Sequence, residues 1–415
     1  MKNTIFLCFT FILISCQDKS TYSAESMEPE DMPVTIEITE ALLNPQKEIL
    51  LSELADSVSY IPLETKDECL LQNYPFYSFS SRYIAYLNYC FDWSGKFLFK
   101  VGNLGQGPGE EPADIMSKIT YCEDNFYTKG HKVIEYDSLG FFTGKERSLF
   151  SVNKSEFVIT NKNLANTVAF NSSKGKLLLY NFPDTVFVMN KNLEFVSKHF
   201  VMSWDKNKVS HFLSWDGPYD RFMTNYKEDV LFYNYFRDTV FQVSGAEFSP
   251  RWIIKFDELK LPDEALYKFE ELFDVAFKDF NSGQLDNTPL TKLMDHKYAI
   301  SNVYESNNYV FITAGEVIAF RPLRKVPASP AVLICYDKKK KKIKSTVKIK
   351  DDLTGYPNIF MRCGLVGEKM IDFFWPYEQE EWLKEKAKTD PRFSRFAGRD
   401  FSEDNPIVIV VHLKK

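Results

Sequence analysis

A chain of 415 residues with 44% hydrophobic and 26% charged side chains carries enough apolar matter for one large domain or two to three ordinary ones, which excludes a mainly disordered polymer. Its formal net charge of −6 argues against a nucleic-acid partner, which would need a basic surface. Aromatic residues reach 16%, with 37 Phe and 22 Tyr beside only 17 Gly, a usage that suits strands packed face to face in stacked sheets.

The chain opens with Met1-Lys2-Asn3, a short positive segment, followed by the apolar run Thr4 to Ile14. A run of about 11 residues is too short to span a bilayer and reads as a signal peptide over residues 1–15. Leu13-Ile14-Ser15-Cys16 resembles the lipobox of bacterial lipoproteins. That resemblance implies cleavage before Cys16, lipid attachment to Cys16 and membrane association through the acyl chains. An ordinary secretory signal with a chance cysteine is the plainer alternative. The expected address is the bacterial cell envelope, as an outer-membrane lipoprotein facing the periplasm or the surface. Residues 16–33 are acidic, hold Pro29 and Pro33 and have few apolar positions, so they read as a flexible tether. The five further cysteines of the mature chain, Cys69, Cys90, Cys122, Cys335 and Cys363, show no regular spacing. They are expected to be buried apolar residues without disulfides.

From Val34 to the end of the chain the texture is β-rich. Val34–Ile38 alternates as a half-exposed strand should, and many short runs follow, among them Ser57–Pro62, Tyr83–Phe91, Lys96–Val101, Ile119–Thr128 and Ile407–Leu413. Phe91-Asp92, the turn Trp93-Ser94-Gly95 and Lys96–Val101 make a hairpin, since Gly supplies the positive φ of a tight turn. The phrases Ser59–Thr65 (SYIPLET) and Gly95–Glu110 (GKFLFKVGNLGQGPGE) resemble the six-bladed β-propeller lipoproteins of Bacteroidetes. The resemblance implies an all-β fold, a six-bladed propeller over residues 34–415, and carries no common activity with it. Glu111-Pro112 stand where an aromatic often follows GPGE in that family.

A weak internal period supports repetition. The phrase "apolar strand, Asp or Asn, turn, strand" recurs around Asp92, Asp137, Asn190, Val243 and Asp337. The first three steps fit one four-stranded blade each, and the last fits one blade plus an insertion, or two blades. By itself the period allows six to seven blades. Leu261–Phe280 breaks the texture as an amphipathic helix inserted between blades, with Leu266, Phe269, Phe273 and Phe277 on one face. Tyr377–Thr389 reads as a shorter second helix. A propeller must close its ring or leave open strand edges, so the strong terminal strands Thr35–Ile38 and Ile407–Val411 are expected to share a blade.

The loop Gly102–Gly109 is no phosphate cradle, because it lacks the Gly-Lys-Ser/Thr ending and is followed by Glu110-Glu111. It reads as a tight inter-blade loop, with Gln106 and Glu110 as the side chains to watch for a ligand. His131, His199, His211, His296 and His412 are scattered, so no metal and no cofactor are expected, although propeller channels can hold Ca²⁺ on residues with no local spacing. GxSxG is absent, and Ser151-x-x-Lys154 and Ser203-x-x-Lys206 fall in apparent turns. Lys338–Lys342 reads as a solvated turn. Trp204, Trp215 and Tyr219 lie among polar residues and offer aromatic platforms of the kind carbohydrate sites use, with blade packing as the alternative. The leading reading is a non-catalytic binding or scaffold lipoprotein that captures a glycan or a peptide at the outer membrane. The alternative is a metal-assisted hydrolase or lyase working in the central channel, since propellers host both.

Overall fold

The computed structural model describes residues 33–73, 77–111, 119–130, 132–148, 167–181, 185–200, 222–233, 237–262, 296–316, 331–357, 359 and 364–415. Six four-stranded antiparallel sheets follow one another along the chain. Blade I spans 77–100, blade II 119–148, blade III 167–200, blade IV 223–255 and blade V 298–346. Blade VI joins Gly364–Val366, Lys369–Phe374 and Ile407–Leu413 to Ala55–Pro62. The innermost strand of each blade touches that of the next, and the innermost strand of VI touches that of I. The architecture is a six-bladed β-propeller.

Closure uses a different N-terminal strand from the one the sequence suggests. Ile407–Leu413 pairs antiparallel with Ala55–Pro62, Ile409 opposite Tyr60 and Val411 opposite Val58. Val34–Glu37 instead adds to blade IV, parallel to its outer strand, with Ile36 opposite Ile254. Both segments alternate equally well, and only the second carries a long enough run to match a seven-residue partner. Between them the chain runs along the edge of blade V, where Gln46 bridges Thr346, and just beyond it Ile49-Leu50 pairs parallel with Ile349-Lys350. Residues 34–62 thus run as a belt over the edges of blades IV and V before closing blade VI.

The recurring turn phrase is the outer hairpin of successive blades. Asp92 Oδ1 accepts from the Ser94 and Lys96 amides, Asp137 Oδ1 from Leu139 and Phe141, and Asn190 Oδ1 from Asn192 and Glu194. One short side chain thereby satisfies two turn amides. Gly95 lies at φ +88, and a Cβ there would sit 2.1 Å from the Pro62 carbonyl oxygen. Gly140, at φ +83, would meet the Lys100 carbonyl oxygen at 2.2 Å. These two turns therefore seat on the outer strand of the preceding blade where only glycine fits, while the third carries Leu193 at φ +61 in the same place. The step from Val243 to Asp337 is a single blade step, with extra chain between and within the blades.

Two runs read as single strands are hairpins. Tyr83–Phe91 divides at Leu87, which adopts φ +53, and Ile119–Thr128 divides at Glu123, at φ +56. Leu261-Pro262 is described, with Leu261 fully buried, while the rest of the inserted helix lies outside the described residues. The second helix forms over Glu380–Thr389, preceded by a 3₁₀ turn at Pro376–Gln379. It brings Trp382 against Tyr60, Tyr356, Phe374 and Phe393, capping the seam of blade VI. Cys69, Cys90, Cys122 and Cys335 are buried free thiols, and burial pushes Cys90 and Cys335 up to about 12. Cys363 lies outside the described residues.

Candidate functional site

The innermost strands leave a cavity of about 890 Å³ at one end of the central channel, lined by residues from all six blades. This end carries the hairpins that join the first strand of each blade to the second. The turn positions of these hairpins set the rim. Glu123, Lys174 and Lys227 sit at φ +56, +44 and +54 in blades II, III and IV, and Gly367 takes the matching place in blade VI. Left-handed backbone is costly for long side chains, and three charged residues hold it here.

Blades I and II supply an aromatic wall. Tyr77, Phe79, Tyr83 and Tyr121 are each half-buried and line the cavity, backed by the buried Phe126. The Tyr83 and Tyr121 rings stand 5.7 Å apart, edge to face, and both touch Phe126 at 5.2 Å. The Arg82 guanidinium donates to the Tyr121 hydroxyl and pairs with Asp124 at 3.4 Å. Packing against Phe126 and one another fixes the Tyr83 and Tyr121 rings where they line the cavity, which is how an apolar platform is preset. Ser78, Thr120, Asn171, Ser172 and Asn225 interleave hydroxyl and amide groups along the same lining.

Blades III to V supply an ionic wall centred on Glu305, whose side chain is fully buried. It accepts from Arg251 Nε at 2.6 Å, Arg251 Nη2 at 2.7 Å, Trp252 Nε1 at 2.7 Å and Lys338 Nζ at 2.8 Å. Burial alone would raise the Glu305 carboxyl, but the Arg251 hydrogen bonds and the two cations hold it below the ordinary carboxylate range. Arg251 also donates to Gln242 Oε1 and, at 2.9 Å, to the Tyr226 hydroxyl, while its guanidinium lies 4.3 Å from the centre of the Tyr226 ring. Gln242 in turn bonds Asp229, whose other oxygen faces Lys174 at 3.6 Å. Lys338 is the first lysine of the basic turn, and it is no solvated residue. It reaches back to Glu305 and the Ser306 carbonyl, while Lys340 stays exposed beside Asp337. Nothing local in the sequence marks that difference, because the carboxylate it serves lies 33 positions earlier.

Of the residues singled out in the sequence, Gln106 is exposed on the glycine loop, and Glu110 folds back so that its Oε2 accepts the Gly107 amide at 2.8 Å. Neither lines the channel cavity. That loop is seated on blade II by the Gly109 amide, which donates to Glu146, and by the Tyr136 hydroxyl, which donates to the Gly109 carbonyl. Cys16, Trp204, Trp215 and Tyr219 lie outside the described residues. The cavity residues were missed because they come from all six blades at blade-length spacing and meet only once the ring is closed. Among the described residues, no three His, Cys, Asp or Glu side chains stand close enough to share a metal ion, and no helix is long and apolar enough to cross a membrane.

Comparison with solved structures places this architecture beside a Bacteroides fragilis protein described only as exported. The two share 18% identity and a TM-score of 0.60 over 92% of this chain and 100% of that one. Weaker likenesses include BamB from Moraxella catarrhalis, at 10% identity and a TM-score of 0.31 over 69% of this chain and 63% of that one. Virginiamycin B lyase from Staphylococcus aureus gives 11% and 0.35 over 72% and 77%. No curated protein matches the sequence. The family described as "Domain of unknown function (DUF4934)" matches residues 33–412, the propeller with its N-terminal belt, and the chain belongs to that family.

Proposed function

We propose that this protein is an exported, envelope-anchored binding module that captures a glycan in the channel mouth. The observation that carries the reading is the aromatic wall. Tyr77, Phe79, Tyr83 and Tyr121 stand half-buried beside hydroxyl and amide side chains in a cavity large enough for two or three sugar rings. Sugars offer apolar ring faces edged by hydroxyls, and such a wall matches both. An extended peptide is the competing occupant; it would use sheet edges or side-chain pockets more than open ring faces.

The test is a glycan array probed with the wild-type chain, followed by titration of the best hit with Tyr121→Ala. Binding is expected to weaken about ten-fold, the loss of roughly 1.4 kcal/mol of ring contact. Melting should show the fold retained, since Tyr121 is only half-buried. An array without any hit, or an unchanged affinity in Tyr121→Ala, would remove the reading.

The anchoring part of the proposal rests on the Leu13–Cys16 lipobox resemblance and on the exported description of the Bacteroides neighbour. Cys16→Ala is expected to move the expressed protein from the membrane fraction to the soluble fraction. Retention in the membrane fraction would argue against a lipid anchor at that residue. No observation favours the metal-assisted reaction.

A further inference from the structure

The charge of the lining adds a demand that the aromatic wall does not make. We propose, resting on the glycan reading above, that the captured glycan is basic, an oligosaccharide with free amino groups on successive rings, and that Glu123, Glu228 and Glu368 receive its ammonium groups at the channel mouth.

The first observation is the balance of charge. The cavity is lined by two lysines, Lys174 and Lys227, and by five carboxylates. Two of the carboxylates are engaged. Glu305 holds Arg251 and Lys338, neither of which lines the cavity, and Asp229 faces Lys174 at 3.6 Å. The other three, Glu123, Glu228 and Glu368, form no ion pair with a described residue, and Lys227 is the one lysine of the lining in the same state. With Arg251 and Lys338 counted as well, carboxylates still outnumber cations five to four. Two of them are also poorly screened. Glu368 accepts the Asn307 amide at 2.7 Å through Oε1, while its Oε2 is buried without a hydrogen bond from any described residue, and Asp229 Oδ1 is in the same condition. A buried carboxylate oxygen without a donor keeps its field, and that field acts on the cavity its residue lines. An ammonium entering the cavity lowers this energy, and an anion raises it.

The second observation is placement. The three unpaired carboxylates stand on the hairpin turns of blades II, IV and VI, every second blade around the ring. Glu123 Oε1 lies against the turn of blade III, where a Cβ on Gly175 would stand 2.6 Å from it. Among the described residues no three acids are close enough to share a metal ion, so these carboxylates do not converge on one point charge. Negative groups spread around a mouth match positive groups spread along a ligand. An amino-sugar oligomer carries one ammonium per ring, and the aromatic residues of blades I and II suit both its rings and its charge. Lys227, beside Glu228 on the same turn, opposes a cation and tunes the affinity downward.

The probe pair is the β-1,4-linked glucosamine trimer and its fully N-acetylated form, which keep the same rings and differ in charge. Titrated into the full chain with its amines protonated, the amine form is expected to bind about ten-fold tighter than the acetylated form, the scale of one partly shielded ion pair. Added salt should shrink that preference. The double variant Glu123→Gln, Glu228→Gln should remove most of it by weakening the amine form alone, and Lys227→Met should strengthen the amine form alone. Melting of these variants should stay near that of wild type, because all three side chains are exposed. Equal binding of the two forms, or tighter binding of the acetylated one, would overturn the basic-sugar inference and leave glycan capture standing. A double variant that keeps the full preference would overturn the assignment to the rim carboxylates. Tri-lysine bound as tightly as the amine trimer would overturn the sugar in favour of a basic peptide. Binding of neither trimer would overturn the inference, and an empty glycan array as well would take glycan capture with it.

Discussion

Truncating Glu305 to alanine is expected to lower the folding free energy by about 3–5 kcal/mol, because it strands two cations in the wall between blades IV and V. Arg251 and Lys338 sit at 2.6 and 2.8 Å from its oxygens, with Arg251 about a quarter exposed and Lys338 about a fifth. Both pack over the Tyr226 ring, which keeps either from recovering full hydration. Urea unfolding of the two chains measures the difference directly. The cost belongs to the unpaired charges and says little about the net worth of the pair. Glu305→Met combined with Arg251→Met should therefore restore part of the loss, since the apolar pair leaves only Lys338 to reach solvent. A loss under about 1 kcal/mol in Glu305→Ala would place this cluster with ordinary surface ion pairs.

The same cluster sets a sign for pH. The folded Glu305 carboxyl lies below its ordinary value, where burial works against its charge and the Arg251 and Lys338 contacts outweigh burial. Its contribution is fully present above the unfolded carboxyl pKa of about 4.3 and is lost as pH falls through the lower folded value. Glu135 behaves alike, held down by the Tyr127, Thr143 and Lys145 contacts against its burial. Stability should accordingly fall as pH drops below about 4, and it should fall less steeply in the Glu305→Ala chain.

The fold was legible where its determinants are local. The Asp92-x-x-Gly95 turn reads correctly because the aspartate caps its own turn and the glycine must pass a neighbouring carbonyl. The two phrases behind the family resemblance also prove to be a single piece of structure. The Glu64 amide donates to the Gly95 carbonyl at 2.8 Å, and the Glu64 carboxylate accepts the Phe97 amide at 2.9 Å. SYIPLET and GKFLFK therefore lock blade VI to blade I. What local pattern could not tell was partnership. Val34–Glu37 and Ala55–Pro62 are both good strands, and which one meets Ile407–Leu413 depends on the path between them. Leu87 and Glu123 hid two turns, because neither is a residue that normally announces positive φ. The site was the least legible part. Tyr83, Tyr121, Tyr226 and Glu305 come from four blades and meet only once the ring is closed.

The belt makes the largest claim on stability. Ile36, Ile38, Leu42, Ile49 and Leu51 are each at most 2% exposed, and they insert into the clusters that hold Trp252, Ile254, Tyr309 and Phe311. Burying each such side chain contributes roughly 1.5–3 kcal/mol, an upper bound for a compact unfolded state. Five together rival the roughly 5–15 kcal/mol by which a domain is stable at all. A chain beginning at Ala55 keeps the closing strand, so its ring is formally complete, yet it should fail to melt cooperatively. It would also bare the outer edge of blade IV at Trp252–Lys255, that of blade V at Thr346, and Ile349-Lys350 just beyond it, all of which now pair with the belt. Open edges next to newly exposed apolar residues recruit other chains, so the truncated protein should sediment as aggregate. Ile38→Ala keeps the belt and removes one fully buried side chain, and it should cost about 2–4 kcal/mol while the fold survives. A chain from Ala55 that stays monomeric and melts within a few degrees of the whole protein would mean that closure at blade VI alone holds the propeller, and that the belt is an accessory to it.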